Sequence, residues 1–436
     1  MGSEWRPSTW GDEISLEYGK SLKGYRNGIG NVRVYGSNGP VGWTENTALA
    51  DGPGVILGRK GAYRGVQYSE DPFYVIDTAY YVKPKAELDM RWLYYSIIHH
   101  KLGEIDDGSP IPSTTRSAVY VTDVDVPPLP EQKAIAHILG TLDDKIELNR
   151  RMNATLEGMA QALFKSWFVD FDPVIDNALA SGNPIPDELA ARAEVRKKAL
   201  ASGTTRLGSV NHATLSDPKS LFPTAFVFND ELGWVPEGWE VSDLEKTTSL
   251  IIDHRGKTPR KLASEWVDSG YPAISAKNIK EGKLVRKDTI RFTDSDLYQR
   301  WMADELEQGD VLLTSEAPLG EKFYLAKKAQ WVLSQRLFAL RANEKISGVY
   351  LYSWLSTAIA QADIDGRASG TTVQGIRQSE LRQVKVLVPS AVCIAAFSAA
   401  SDPVMTKRAS NDESVEQLTK LRDALLPKLI SGEIRT

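Results

Sequence analysis

The sequence has one cysteine, Cys393, and only five histidines in 436 residues. One cysteine excludes an internal disulfide framework and every zinc site built on cysteine pairs. The histidines at 99, 100, 137, 212 and 254 show no metal-ligand spacing with Asp or Glu, so no metal site is expected. No apolar run approaches the ~18–20 residues needed to span a bilayer. The first ten residues lack the basic-then-apolar pattern of a secretory signal. A reducing cytoplasm is the expected compartment. Charge of one sign is missing too: 52 Lys+Arg against 57 Asp+Glu leave a net −5. That argues against a surface that binds nucleic acid by charge all over. Any such contact is local, and residues 253–291 are the candidate, with 10 basic and 5 acidic side chains. The 42% hydrophobic and 25% charged content is ordinary for a globular chain. The length fits two or three domains at ~100–200 residues each.

What the chain does have is an internal repeat. Residues 141–168 match 403–430 at an offset of 262, with Lys145/Lys407, Asn149/Asn411, Leu156/Leu418, Ala162/Ala424 and Leu163/Leu425. Just upstream, Pro130/Pro389 and Ile135/Ile394 match at 259, which places a three-residue insertion near Pro403. Fainter matches at 256–258 join Val55-Ile56-Leu57 to Val311-Leu312-Leu313, and Thr114-Thr115 to Thr371-Thr372. Pro7 and Trp10 match Pro236 and Trp239 at 229, which makes the second copy about 30 residues longer. The expected architecture is a globular module followed by a long helix, twice.

Residues 131–168 contain no proline and show helical periodicity. Heptad positions a are Ile135, Leu142, Asn149, Leu156 and Leu163, and positions d are Ile138, Lys145, Met152, Met159 and Ser166. In the second copy Val404, Asn411, Leu418 and Leu425 take position a. Two matched stripes, each with Asn at the same a position, predict an antiparallel coiled coil in which the polar residue fixes register. The modules around these helices read as mixed α/β. Strands are expected near 32–35, 54–57, 73–76, 311–313 and 384–388, and helices near 90–100 and 348–361. Residues 173–236 read as a connector with a short helix over 187–200.

Catalytic motifs fail on inspection. Gly19-Lys20-Ser21 and Gly256-Lys257-Thr258 resemble the end of a phosphate loop, but Ile14 and Ile251 stand where its first glycine belongs. Asp71-Pro72-Phe73-Tyr74 has no glycine-rich cofactor loop upstream. Asp268, Glu281 and Lys283 have only a nuclease-like order. What remains is a set of polar, cationic loops. They contain Arg33, Tyr35, Ser37 and Asn38; then Arg59, Lys60, Tyr63 and Arg64; then His254, Arg255, Lys257, Thr258 and Arg260; then Lys277 and Asn278. The duplicated Thr114-Thr115 with Arg116, and Thr371-Thr372 with Gln374, add hydroxyl and amide donors. Arg and Asn can each place two hydrogen bonds on a base edge, and Lys and Thr reach phosphates. These loops are the expected DNA contacts. A coiled-coil adaptor without DNA readout, and a nuclease or NTPase acting alone, stay open on the residues by themselves.

Two long motifs narrow this. Residues 128–149 run Pro-Leu-Pro-Glu-Gln-Lys-Ala-Ile-Ala on to Leu142-Asp143-Asp144-Lys145-Ile146-Glu147-Leu148-Asn149. Residues 421–434 run from Leu421-Arg422-Asp423-Ala424-Leu425 through Pro427 to Gly432-Glu433-Ile434. They resemble the central and distal conserved helices of the specificity subunit of type I restriction-modification enzymes, and the resemblance spans essentially the whole chain. It implies a non-catalytic protein with two target recognition domains in a pseudo-two-fold arrangement. The expected divisions are 1–130 (first recognition domain), 131–172 (central helix), 173–236 (connector), 237–388 (second recognition domain) and 389–436 (distal helix). The partners implied are double-stranded DNA, two methyltransferase subunits and restriction/translocase subunits, with no membrane. S-adenosylmethionine, ATP and Mg would belong to those partners, with no cofactor in this chain. Pro403 and the insertion near it are expected to weaken the start of the distal helix. Leu142 to Trp167, 26 residues, would span roughly 39 Å at ~1.5 Å each, or about 11 base pairs. That length suits a ruler between two half-sites on one side of the duplex.

Overall fold

Two helices of 40 residues each, Leu129–Phe168 (the central helix) and Ala391–Ile430 (the distal helix), carry the architecture. The computed structural model describes residues 5–106, 108, 110–203 and 221–436; His212 and Pro218 lie outside the described residues. The chain separates into two contact units, Met1–Arg150 with Glu413–Thr436, and Arg151–Asp412. Each unit therefore holds one β module and a half of each long helix.

Within each unit the helix halves pack antiparallel. In the first, Ile135, Ala136 and Leu139 share a core with Leu429 and Ile430. There Arg422 donates to Asp143 at 2.7 Å and Asn149 to Ser414 at 3.1 Å. In the second, Phe164, Trp167 and Phe168 pack with Phe397 and Met405. Buried Asn153 accepts from Asn411 at 2.8 Å and donates to the Arg408 carbonyl at 3.2 Å and to Asp412 at 2.8 Å.

The expected seam residues Leu142, Asn149, Leu156, Leu163, Val404, Asn411, Leu418 and Leu425 all lie on the partly or fully buried stripe. Their companions on it are the residues four ahead, not three. They are Ile146, Asn153, Ala160 and Trp167 in the central helix, and Arg408, Val415, Arg422 and Leu429 in the distal one. Ile138 and Met159 instead face outward, 37% and 58% exposed. Aliphatic residues flank both sides of the stripe, so periodicity alone admits either phase. Asn149 and Asn411 also do not pair with each other: antiparallel packing sets each opposite a different residue.

The expected insertion near Pro403 is absent. The distal helix runs unbroken through Pro403, which is exposed. Both long helices, both preceding strands (Asp123–Val126 and Lys385–Val388) and both preceding short helices start 262 residues apart. Four extra residues of the second copy fall between its helix Gly348–Leu355 and the short helix Gln378–Leu381, where Ala358–Arg367 adds a helix, and most of the others fall between strands Thr248–Asp253 and Val311–Ser315. The aliphatic match at 259 is a coincidence of apolar residues in two helices whose structural register is 262.

The two β modules share one topology. In the first, Arg6–Thr9 pairs antiparallel with Asp123–Val126. A four-stranded sheet has the order Ile14–Tyr18, Ala79–Pro84, Gly54–Gly58, Val66–Ser69. A three-stranded sheet has the order Gly39–Thr44, Val32–Gly36, Phe73–Val75, the last pair parallel. The second module repeats this. Glu240–Asp243 pairs with Lys385–Val388. Its four strands are Thr248–Asp253, Leu337–Ala342, Val311–Ser315 and Leu319–Tyr324. Its three are Arg291–Thr293, Tyr271–Ile274 and Val332–Leu333, the last pair parallel. The strand register makes Leu244, not Trp239, the counterpart of Trp10: each accepts the chain from a first strand by donating to a carbonyl, of Thr122 or of Val384.

Central strands such as Gly54–Gly58 and Val311–Ser315 are buried along their whole length. They read as continuous apolar runs because both faces are covered. The connector holds more structure than its sequence suggests. Helix Asp172–Ser181, begun by Pro173 in its first turn, packs beside Asp187–Ala201. Arg192 grips Asp172 at 2.7 Å.

Candidate nucleic-acid interface

One end of each four-stranded sheet, just past or at the end of its interior strand Gly54–Gly58 or Val311–Ser315, carries the same backbone arrangement. In the first module the Arg59 N–H donates to the Thr78 carbonyl at 3.0 Å, the Thr114 N–H to the Arg59 carbonyl at 2.9 Å, and Lys60 bridges to Ser113. In the second, Ser315 donates to Arg336 at 2.9 Å, Ile376 to Ser315 at 2.9 Å, and Glu316 bridges to Gly375. Arg59 thus corresponds to Ser315, Lys60 to Glu316, Thr78 to Arg336 and Thr114 to Ile376. The framework is constant and its side chains are not.

In the first module two cations converge on one phenol. The guanidinium carbons of Arg116 and Arg59 lie 4.1 and 5.0 Å from the Tyr18 ring centre, and both approach Tyr80 as well. Tyr18 is half-exposed and packs on Tyr80. Burial first, and the Tyr18 phenol next, push Tyr80 up to about 12 against the pull of Arg59 and Arg116. The Arg116 Nε is buried with no partner among the described residues. Lys60, Asn38 and Tyr63 are exposed, Tyr63 by 78%. Arg33 lies over Trp43, 4.7 Å from the ring centre. Guanidinium groups held on aromatic faces stay charged and partly desolvated, a favourable state for meeting phosphates or base edges.

Several other expected contacts in this module are structural. Tyr35 is buried against Phe73. Ser37 donates to the Thr78 carbonyl at 2.6 Å. Arg64 spends its guanidinium on the carbonyls of Gly103, Gly61, Glu104 and Ile105 and on the Thr114 hydroxyl. Thr114 is buried, and Thr115 caps the helix Arg116–Tyr120.

In the second module Asp253, Arg255, Ser315, Glu316, Ser369 and Arg377 help line a cleft of about 420 Å³. Arg255 is clamped there. Its Nε and Nη2 donate to Asp253 at 2.8 and 2.7 Å, its Nη1 to the Ile376 carbonyl at 3.1 Å, and it lies 4.3 Å from the Phe338 ring centre. Three of the expected contact residues are buried or already bonded within the module. His254 is buried, and burial first, then Lys257, lowers its pKa to about 4, so it carries no charge at neutral pH. Lys257 donates to the Trp301 carbonyl at 2.9 Å. Asn278 is fully buried and ties Ser275 to the Arg286 carbonyl and Thr289. The Thr371-Thr372 pair is exposed and is not the counterpart of Thr114-Thr115, because the 262-residue spacing puts Ile376 and Arg377 there. Thr258 accepts from the Lys261 N–H at 3.3 Å. Arg260, Lys277 and Gln374 are exposed.

Tyr18, Arg336, Glu316 and Arg377 were missed from the sequence. The available signals were weak: Tyr18 ends a strand, and Arg336 follows the Val332-Leu333 strand by three residues.

Among the described residues no group of three or more His, Cys, Asp or Glu side chains is placed to hold a metal ion, and no helix is long and apolar enough to cross a membrane. The family model described as the type I restriction modification DNA specificity domain matches residues 25–158 and 236–392. The chain belongs to this type I specificity family. The two matched stretches take in most of both β modules and the beginnings of both long helices. A relative from Haemophilus influenzae, the type I restriction enzyme HindI specificity subunit, is 28% identical over 83% of this chain and 81% of its own. The MjaIX specificity subunit of Methanocaldococcus jannaschii is 24% identical over 81% of this chain and 71% of its own. The crystal structure of a type I restriction-modification S subunit from M. genitalium has the same fold: TM-score 0.64 at 16% identity, over 98% of this chain and 96% of that one.

Proposed function

We propose that this chain is the non-catalytic, DNA-reading subunit of a cytoplasmic type I restriction-modification complex. The module within residues 1–130 reads one half of an interrupted duplex target, and the module within 237–388 reads the other. The observation that carries this is one β framework built twice with different side chains at equivalent positions, Arg59, Lys60 and Thr78 in one and Ser315, Glu316 and Arg336 in the other. A duplicated scaffold with exchanged contact residues suits two different half-sites better than one repeated ligand. The paired helices set the gap and dock two methyltransferase subunits, with restriction/translocase subunits completing the assembly. S-adenosylmethionine, ATP and Mg are carried by those partners. At net −5 this chain alone releases few counterions, so much of the affinity comes from the assembled complex.

Binding of the complex with its modification subunits, to targets scrambled in either half, tests the proposal. Arg59→Ala is expected to weaken binding about tenfold on targets whose first-module half is intact, and to have little effect where that half is scrambled. Equal losses on both halves would contradict a division of labour between modules.

A further inference from the structure

We infer that the cleft of the second module reads a C·G base pair, with Glu316 accepting the cytosine amino group and Arg377 donating to the acceptor edge of the paired guanine. This rests on the DNA-reading function proposed above and adds the chemical identity of one base pair. Four observations lead to it. First, at the position where the first module places Lys60 the second places Glu316, and Arg59 gives way to Ser315. The corresponding cluster around Tyr18 is cationic.

Second, the cleft combines a carboxylate with an exposed cation, Arg377. A carboxylate repels phosphate, so a site that keeps one is better suited to base edges than to the DNA backbone. Third, the Ser315 hydroxyl lines the cleft, is 1% exposed and has no hydrogen-bond partner among the described residues. An unpartnered buried donor there is a polar group with unfilled capacity. Fourth, Glu316 is itself held in place. Its Oε1 accepts from Arg336 Nε at 2.9 Å, and Arg336 stands at φ 63, a left-handed backbone uncommon outside glycine. The Arg336–Glu316 pair is half-exposed and contributes little stability, but it orients the carboxylate and leaves Oε2 free of that bond.

The base follows from edge chemistry. In the major groove cytosine offers the N4 amino group, while adenine sets its amino group beside N7, an acceptor that repels a carboxylate. The guanine opposite cytosine supplies O6 and N7 to a guanidinium. One C·G pair therefore satisfies Glu316 and Arg377 together.

The test uses the chain assembled with its modification subunits and maps methylated sites in DNA. The wild-type complex is expected to require a C·G pair in the half-site that Arg377→Ala relaxes. Glu316→Gln, nearly isosteric, replaces an acceptor by an amide that fits adenine N6 and N7. Modification of sites with cytosine at that position should fall about tenfold while sites with adenine there gain. Arg336→Ala should lower overall modification but keep the cytosine preference. The inference is overturned if Glu316→Gln leaves base preference unchanged at every position of that half, or if Arg336→Ala alone abolishes the preference. A wild-type complex that modifies no two-part sequence would overturn the DNA-reading function itself, a separate result.

Discussion

At the scale of single residues, what decides a cation's role is where its hydrogen-bond donors point. Arg59 and Arg64 are five residues apart in one loop and look interchangeable in the sequence. Arg59 lies on aromatic rings near the surface, whereas Arg64 holds four backbone carbonyls together. Arg64→Ala is expected to leave those carbonyls short of donors and destabilise the first unit by about 2–3 kcal/mol, seen as a lower thermal midpoint. The base preference of the assembled complex should not change. An unchanged midpoint with altered preference would reverse the assignment. That the loops were polar and cationic was legible from composition; which donors were already committed was not, because carbonyl partners such as Gly103 lie about 40 residues away. His254 shows the same limit, since an apparent cation proves to be a buried neutral ring. Its proton is held off until about pH 4, while an unfolded histidine binds one near 6.5. Between those values the unfolded chain takes up more protons, so stability falls as pH drops through the window and levels off below it. The loss amounts to about 3 kcal/mol at most. His254→Phe should flatten that limb of a midpoint-against-pH curve, and an identical curve would contradict the burial argument.

Among elements, the long helices were the most legible, because periodicity over 40 residues survives individual exceptions. Their phase was not legible, since Ile138 and Met159 look like seam residues yet face outward. Asn149 was visible as a polar intruder, but Asn153, with three bonds across the seam, was not, because its partners Asn411, Arg408 and Asp412 come from the other helix. Asn153→Leu is expected to leave the Asn411 amide facing hydrocarbon and to lower stability by about 1–3 kcal/mol. Asn153→Leu combined with Asn411→Leu should recover most of that loss while weakening register control. Thermal unfolding checks the first expectation. The spread of gap lengths among modified sites checks the second. A single variant as stable as the parent would show that the bond has no share in holding the pair together.

At the scale of the whole molecule, the chain passes from one contact unit to the other in the middle of each long helix, so the first unit is made of two separate segments and the second of one. Only the first unit is completed by helix from far along the chain, Glu413–Thr436, which joins the segment Met1–Arg150. The repeat itself was legible where packing constrains the sequence, in the helices and central strands. It failed in the loops around Thr371-Thr372, where only backbone geometry identifies the counterparts. If the helix pair sets the gap, one heptad added to both helices, at 150/151 and 412/413, should lengthen the unread gap by about 3 base pairs. The central claim is that two differently equipped modules read two half-sites, and the most direct test is a map of methylated adenines. It would compare cells carrying the modification subunits with and without this chain, and with Arg59→Ala or Arg377→Ala in its place. The prediction is a two-part motif with a fixed gap, absent without the chain, in which each variant relaxes a different half. Methylation that persists without the chain, or variants that relax the same half, would contradict it.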